Sequence, residues 1–181
     1  MIDYKIIEEC SRGNLQEFRK VVDYSSPLVF SVALRMLGDE TEATDVVQET
    51  MITVWKKIGR LDSPKSYKTW MYRIVLNKCY DVLRMKKRNL EIRADEKVWK
   101  NLSDRISENP GKDADNAEIA CLISLLTEKL SPKQKAVFIL SDLEEMEGEE
   151  ITRITGMSSI NIKANLYYAR KKIAEMIKNF L

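Results

Sequence analysis

Between residues 66 and 88 the chain reads SYKTWMYRIVLNKCYDVLRMKKR, and its ligand-competent side chains fall into one row. Wound at 100° per residue, Arg73, Asn77, Tyr80, Arg84, Lys87 and Arg88 share a face. Cations neutralise phosphates, and an aromatic ring offers a flat surface on which an unpaired base can stack. Tyr67, Trp70, Met71, Ile74, Val75, Val82 and Met85 fall on the other side, which can enter a core. The stretch contains no Gly or Pro, so nothing breaks the helix. Taken alone it also fits a buried helix with a solvated basic back, and its neighbours must decide.

Enzyme chemistry has almost no foothold in the rest of the sequence. There are no histidines among the 181 residues, which removes His-dependent triads and most catalytic zinc sites. Cys10, Cys79 and Cys121 are far apart and form no CxxC, so they read as reduced thiols packed as small hydrophobes. Neither a GxxxxGK[ST] loop nor a GxGxxG loop occurs. No cofactor or metal is expected. No apolar run approaches membrane-spanning length, and MIDYKIIEEC lacks the basic start and apolar centre of a signal peptide, so the expected setting is the cytoplasm without membrane insertion.

The net charge is only +2, but the charges are segregated. Residues 39–49 carry five acids and no base, residues 142–150 carry six acids and no base, and bases gather at 84–88 and 170–172. Segregation of this kind suits several surfaces with different partners as well as ordinary solvated helix faces.

The elements that must position these residues read as helices throughout. A short helix over about 2–10 ends near Gly13, and Asn14 with Glu17 opens a second. Pro27 predicts a break near Ser25 and Ser26, after which an apolar helix runs to Gly38. Asp39 and Glu42 cap a third helix of clean period, with Ala43, Val46, Val47, Thr50, Met51, Val54, Trp55 and Ile58 on one face. Asp45, Gln48, Glu49, Ile52 and Lys56 lie opposite, and an isoleucine among carboxylates suits a docking surface for a basic, partly apolar partner. A loop, GRLDSPK, leads into the basic-aromatic helix.

Residues 89–116 are dense in charge and include Asn109-Pro110-Gly111, the composition of a linker or functional loop, although Val98, Leu102 and Ile106 could line a short helix. Beyond it, Ile119, Leu122, Ile123, Leu126 and Leu130 share a face, and Ser131-Pro132-Lys133-Gln134 is a helix start with Ser as N-cap, Pro at N1 and Gln at N3. A short helix over 149–155 then meets Gly156-Met157-Ser158, and a longer helix follows with Ile162, Leu166, Ala169, Ile173, Met176 and Ile177 inward. Helix, glycine-bearing turn, helix is the helix-turn-helix pattern, although a helical hairpin without a DNA role has the same skeleton. Ser159, Asn161, Lys163, Tyr167 and Lys171 project outward, the polar ones near the N-terminus suited to base edges and the later bases to phosphates.

The fold class expected is all-α: two small helical domains, 1–90 and 116–181, joined by a charged flexible linker, 91–115, with the helix-turn-helix in the second. In this order, DETEATDVVQETMITVW, YKTWMYRIVLNKCYDVLRMKKR, a charged linker, LSPKQKAVFIL and EEITRITGMSSINIKANLYYARKKI resemble the sigma factors of bacterial RNA polymerase, most nearly the extracytoplasmic-function type.

The resemblance implies roles. The helix over 39–58 would bind the clamp helices of the polymerase's largest subunit, with Asp45, Gln48, Glu49 and Trp55 at the fixed letters of the family pattern DxxQETFxxxW and Ile52 on the same surface. The loop 60–65 and the helix carrying Arg73, Asn77, Tyr80, Asp81, Arg84, Lys87 and Arg88 would capture the melted −10 strand. The helix-turn-helix would read the −35 duplex, its flank would dock on the flap of the second-largest subunit, and the linker would thread toward the active site and the RNA exit channel. Expected partners are core polymerase, promoter DNA and an anti-sigma factor. Two departures stand out: Asn161-Ile162-Lys163-Ala164-Asn165 replaces a frequent Thr-Val-Lys-Ser-Arg run, and Tyr167-Tyr168 replaces a frequent His-Arg, so two cations are absent near the DNA. Met51 stands in for a frequent Phe, a swap that a core tolerates. The competing reading is a stand-alone helix-turn-helix regulator with a partner-binding N-terminal domain.

Overall fold

The computed structural model describes residues 2–61, 63–92, 123 and 126–180, and among these there are helices and turns but no strand. Four helices form the N-terminal module: α1 (Tyr4–Ser11), α2 (Leu15–Leu37), α3 (Glu40–Lys57) and α4 (Tyr67–Ile92). Three form the C-terminal module: α5 (Pro132–Phe138), α6 (Gly148–Thr155) and α7 (Ser159–Phe180). The expected linker, with its candidate Val98–Leu102–Ile106 face, and most of the expected helix leading to Leu130 lie outside the described residues.

The capping signals act as anticipated. Asn14 Oδ1 accepts from the N–H groups of Gln16 and Glu17, and Asp39 accepts from Glu42, so each helix start satisfies otherwise orphaned donors. Ser131 and Gln134 form both halves of a capping box, with Pro132 at the first helical position. In α3, Glu40 and Glu42 in the first turn and Lys56 and Lys57 in the last oppose the helix dipole.

The break expected at Pro27 does not occur: α2 runs unbroken through it. An interior proline costs a helix about 3 kcal/mol, but Val21, Ser25, Val29 and Val32 all sink into one core on both sides of it. Burial of that continuous stripe outweighs the local penalty. At the end of α3, a turn of 3-10 helix (Ile58–Arg60) brings Gly59 against α1; a Cβ there would stand 2.8 Å from Ser11 Cβ, so this crossing requires glycine.

The two modules share one continuous apolar cluster, in which Val29, Met36, Tyr72, Leu76 and Cys79 join Val137, Leu140, Met146, Ile151 and Ile154. That contact explains a second departure. The α4 periodicity assigns one inward face, yet Tyr72, Leu76 and Cys79, outside it, are also buried. The C-terminal module covers this second arc, and Tyr72 reaches into it to hydrogen-bond Glu144. Met85, expected inward, is instead 66% exposed because α4 has outrun its packing partners by that point. Ile177, also expected inward, is exposed one turn beyond Ile173. A second small cluster of Leu130, Ala169 and Ile173 with Phe138 holds α7 to α5.

Candidate nucleic-acid and polymerase interfaces

Each candidate surface can be built from its helix. On α3, Ala43, Val46, Thr50, Met51, Val54 and Ile58 are buried and Val47 and Trp55 partly so. Trp55 stacks at a tilt on Phe18 of α2 with ring centroids 4.7 Å apart, which locks the helix's rotation. The opposite side therefore faces outward: Asp45, Gln48 and Glu49 are exposed, and Ile52 is 53% exposed among them. Glu49 leans toward α4, where Lys78 Nζ donates to its Oε2 at 2.6 Å. This surface is acidic at its rim with one apolar knob.

On α4, Tyr67 and Met71 fix the register. The Tyr67 and Ser25 hydroxyls bond at 2.7 Å in the interior, and burial pushes the phenol up to about 12. Arg73, Asn77, Arg84, Lys87 and Arg88 then emerge exposed along one side, as the spacing requires. Arg84 forms an exposed pair with Asp81 at 3.4 Å, too weak to hold it in one place. Tyr80 is a correction: it is half-buried against the core and not a free outward ring, and desolvation raises its phenol to about 12. Only part of that ring is left for stacking. Arg73 is brought to the other module, since its guanidinium lies by the turn of the helix-turn-helix, 3.9 Å from where a Cβ on Gly156 would stand.

Sequence reasoning missed a neighbouring feature. An open cleft of about 530 Å³ lies between the chain's start and the loop before α4, lined by Ile2, Asp3, Tyr4, Tyr24, Ser63, Lys65, Tyr67 and Lys68. It combines lysines with phenol rings next to the loop predicted to hold the −10 strand. Only the loop signalled it; Tyr4 and Tyr24 come from helices distant in sequence.

The helix-turn-helix follows the expected plan. Gly156 ends α6 with φ +72, the left-handed conformation that favours glycine, and its N–H donates to the Thr152 carbonyl. Ser158 then accepts from the Asn161 N–H at the start of α7. Ile162, Ala169 and Ile173 are buried, which turns Ser159, Asn161, Lys163, Tyr167 and Lys171 to the exposed side. Lys163, Tyr167 and Lys171 line one shallow hollow of about 510 Å³ with Leu166 and Arg170. Arg170 is held by a two-pronged contact to Asp142 at 2.7 and 2.8 Å, which keeps that carboxyl below its ordinary range. Tyr167 and Tyr168 meet edge to face at 5.4 Å.

Between the modules, Glu144 accepts from Arg35 at 2.5 Å and from the Tyr72 hydroxyl at 2.8 Å. Lys135 is only 7% exposed; burial lowers its ammonium to about 8, with Glu128, Lys86 and Cys79 around it. No candidate metal cluster and no helix long and apolar enough to cross a membrane occurs among the described residues.

An all-helical pair of modules, one carrying a basic helix face and the other a helix-turn-helix, defines a DNA-binding transcription protein. Residues 21–89 match the family model for Sigma-70 region 2, and residues 122–173 match that for Sigma-70, region 4. The ECF RNA polymerase sigma factor SigW of Bacillus subtilis is 25% identical over 99% of this chain and 98% of its own. The sigma factor CnrH of Cupriavidus metallidurans is 25% identical over 97% and 94%. Among solved structures, CnrH in complex with the cytosolic domain of CnrY shares the fold at a TM-score of 0.70, with 21% identity over 98% of this chain and 97% of that one. The sigma factor RpoE in complex with the anti-sigma factor NepR from Bartonella quintana does so at 0.68, with 21% identity over 90% and 98%. The chain belongs to the sigma-70 family and is an extracytoplasmic-function sigma factor: it directs RNA polymerase to promoters as an initiation factor, not an enzyme. The region 2 match over α2 to α4 sets aside the stand-alone regulator.

Proposed function

We propose that the work of a sigma factor is divided here among three surfaces. Asp45, Gln48, Glu49 and Ile52 of α3 dock on core polymerase. Arg73, Asn77, Tyr80, Arg84, Lys87 and Arg88 of α4 hold the opened −10 strand, together with the cleft that Lys65, Lys68 and Tyr24 line. Ser159, Asn161, Lys163, Tyr167 and Lys171 of α7 read the −35 duplex. The functional units are residues 1–90 and 116–181, tethered by 91–115. The setting is the cytoplasm, and an anti-sigma factor is the third partner, in keeping with the two related sigma factors solved in complex with one or with a partner's cytosolic domain.

The observation that carries this reading is the separation of surfaces. α3 turns an acidic face with one exposed isoleucine outward, while α4 and α7 turn out cations. Acidic rims repel DNA and steer basic protein surfaces, whereas the cationic rows do the reverse. Melting needs no hydrolysis by this chain, because base capture and charge stabilise the opened strand once polymerase positions the two modules. Joining two weak DNA contacts through one tether and one enzyme multiplies their strength.

Asp45→Lys with Ile52→Ser tests the docking face, since both side chains are exposed and their loss leaves the core intact. The expected result is at least about tenfold weaker capture of core polymerase. Unchanged capture by the double variant removes α3 as the docking face.

A further inference from the structure

The outward face of α7 carries more apolar surface than a phosphate-binding helix needs. Ile160 is 76% exposed in its first turn, Ala164 is exposed one turn on, and Tyr167 is 64% exposed after that. These positions recur at helical spacing. Ile162, Ala169 and Ile173, buried opposite, fix their direction away from the protein. The stripe is flanked by Lys163 on one side and reaches Lys171 at its far end. An exposed isoleucine inside a helix's first turn loses free energy to water unless a partner covers it.

We propose that Ile160 and Ala164 are specificity-determining residues that read the 5-methyl groups of thymines in the −35 element. This rests on the reading of α7 as the −35 helix. Thymine is the base whose major-groove edge presents a methyl group, and apolar side chains recognise it by contact. Lys163 beside the stripe and Lys171 at its end can meet phosphates, and duplex DNA is an occupant that fits both the apolar centre and these cations. An acidic protein partner would also pair with Lys163 and Lys171, and the test below separates the two. The family's frequent arginines are replaced here by Asn165 and Tyr168, and Ala164 stands where a serine is frequent, so the start of this helix offers an apolar contact in place of a hydroxyl. The −35 element is thereby expected to contain thymines facing the start of α7.

The test uses the full chain assembled with core polymerase. A promoter is first selected from a −35 library by in vitro transcription, and its −35 thymines are then replaced one at a time by deoxyuridine, which lacks only the methyl. At one or two positions initiation should fall about threefold to fivefold, the worth of one buried methyl. Ile160→Ser should initiate less on the thymine promoter and lose nothing further on the deoxyuridine one. Equal initiation by the parent on thymine and deoxyuridine templates overturns the inference. So does an Ile160→Ser loss that is the same on every template, because that marks Ile160 as a protein contact. Lys163→Ala with Lys171→Ala is the companion variant. If it leaves −35 binding undiminished, α7 is not the reader and both readings fall; if it weakens −35 binding while deoxyuridine has no effect, only the methyl readout falls.

Discussion

Val21, Val32, Val54 and Met71 fill the N-terminal interior, with one hydroxyl pair, Tyr67 and Ser25, in its depth. The seam between the modules is apolar too, but it also carries Arg35, Glu144 and Tyr72 in one bonded group and a buried Lys135. Apolar contact is insensitive to small displacements, whereas charge-assisted bonds depend on geometry and have water as a ready substitute when they part. The first interior rests on apolar burial with a single hydroxyl pair, and the second adds bonds whose strength depends on one relative placement of the modules.

The sharpest way to break this contrast is in the core. Met71→Ala should cost about 2–5 kcal/mol, because the side chain is only 1% exposed and its removal leaves a cavity. Urea unfolding of the whole chain reads this, and a loss below 1 kcal/mol would mean that the N-terminal interior is no tighter than the seam. Glu144→Ala comes next. It strands Arg35 and Tyr72 at partly buried positions, at a cost of about 1–3 kcal/mol. The effect should appear as a larger distance between dyes on the two modules, with helix content unchanged. An unaltered distance would show that the apolar cluster alone closes the seam.

The smallest effect is the pH response of Lys135. Its ammonium is lowered to about 8 in the closed protein, while an exposed lysine keeps its proton to above pH 10. Between those values Lys135 binds fewer protons in the closed form than in the open one, so it strengthens closure as pH rises from about 8. The Cys79 thiol, covered by the same seam and raised to about 12 by burial, opposes this from about pH 9, and the Tyr72 phenol, raised by burial and by Glu144, does so above pH 10. Lys135→Met should flatten the response of the same dye distance between pH 8 and 9. A slope as steep as the parent's would assign the effect to another group.

Elements whose signals are local were legible in the sequence. The caps at Asn14, Asp39 and Ser131, the turn at Gly156 and the faces of α3 and α7 depend on residues a few positions apart. What sequence reasoning missed depends on distant partners. Pro27 reads as a break because a proline's local cost is visible and the core that overrides it is not. The burial of Tyr72, Leu76 and Lys135 was not foreseeable, because it comes from the other module, far along the chain. The acidic outward face of α3 and the cationic rows of α4 and α7 were foreseeable as charge patterns. The cleft at Tyr4 and Tyr24 was not, since three segments meet there.

After α5 the backbone widens into a π-helical turn, Ile139–Leu143, in which Glu144 N–H reaches back to the Ile139 carbonyl. Two acids leave this turn in different directions. Asp142 grips Arg170 within its own module, and Glu144 grips Arg35 and Tyr72 across the seam. In a chimera that grafts residues 123–181 onto another N-terminal half, the first grip travels with the graft. The second would meet its match only where the host supplies an arginine and a tyrosine at the same places. Such a hybrid would therefore keep α7 braced by Asp142 while losing the Glu144 contacts that tie this module to α2 and α4.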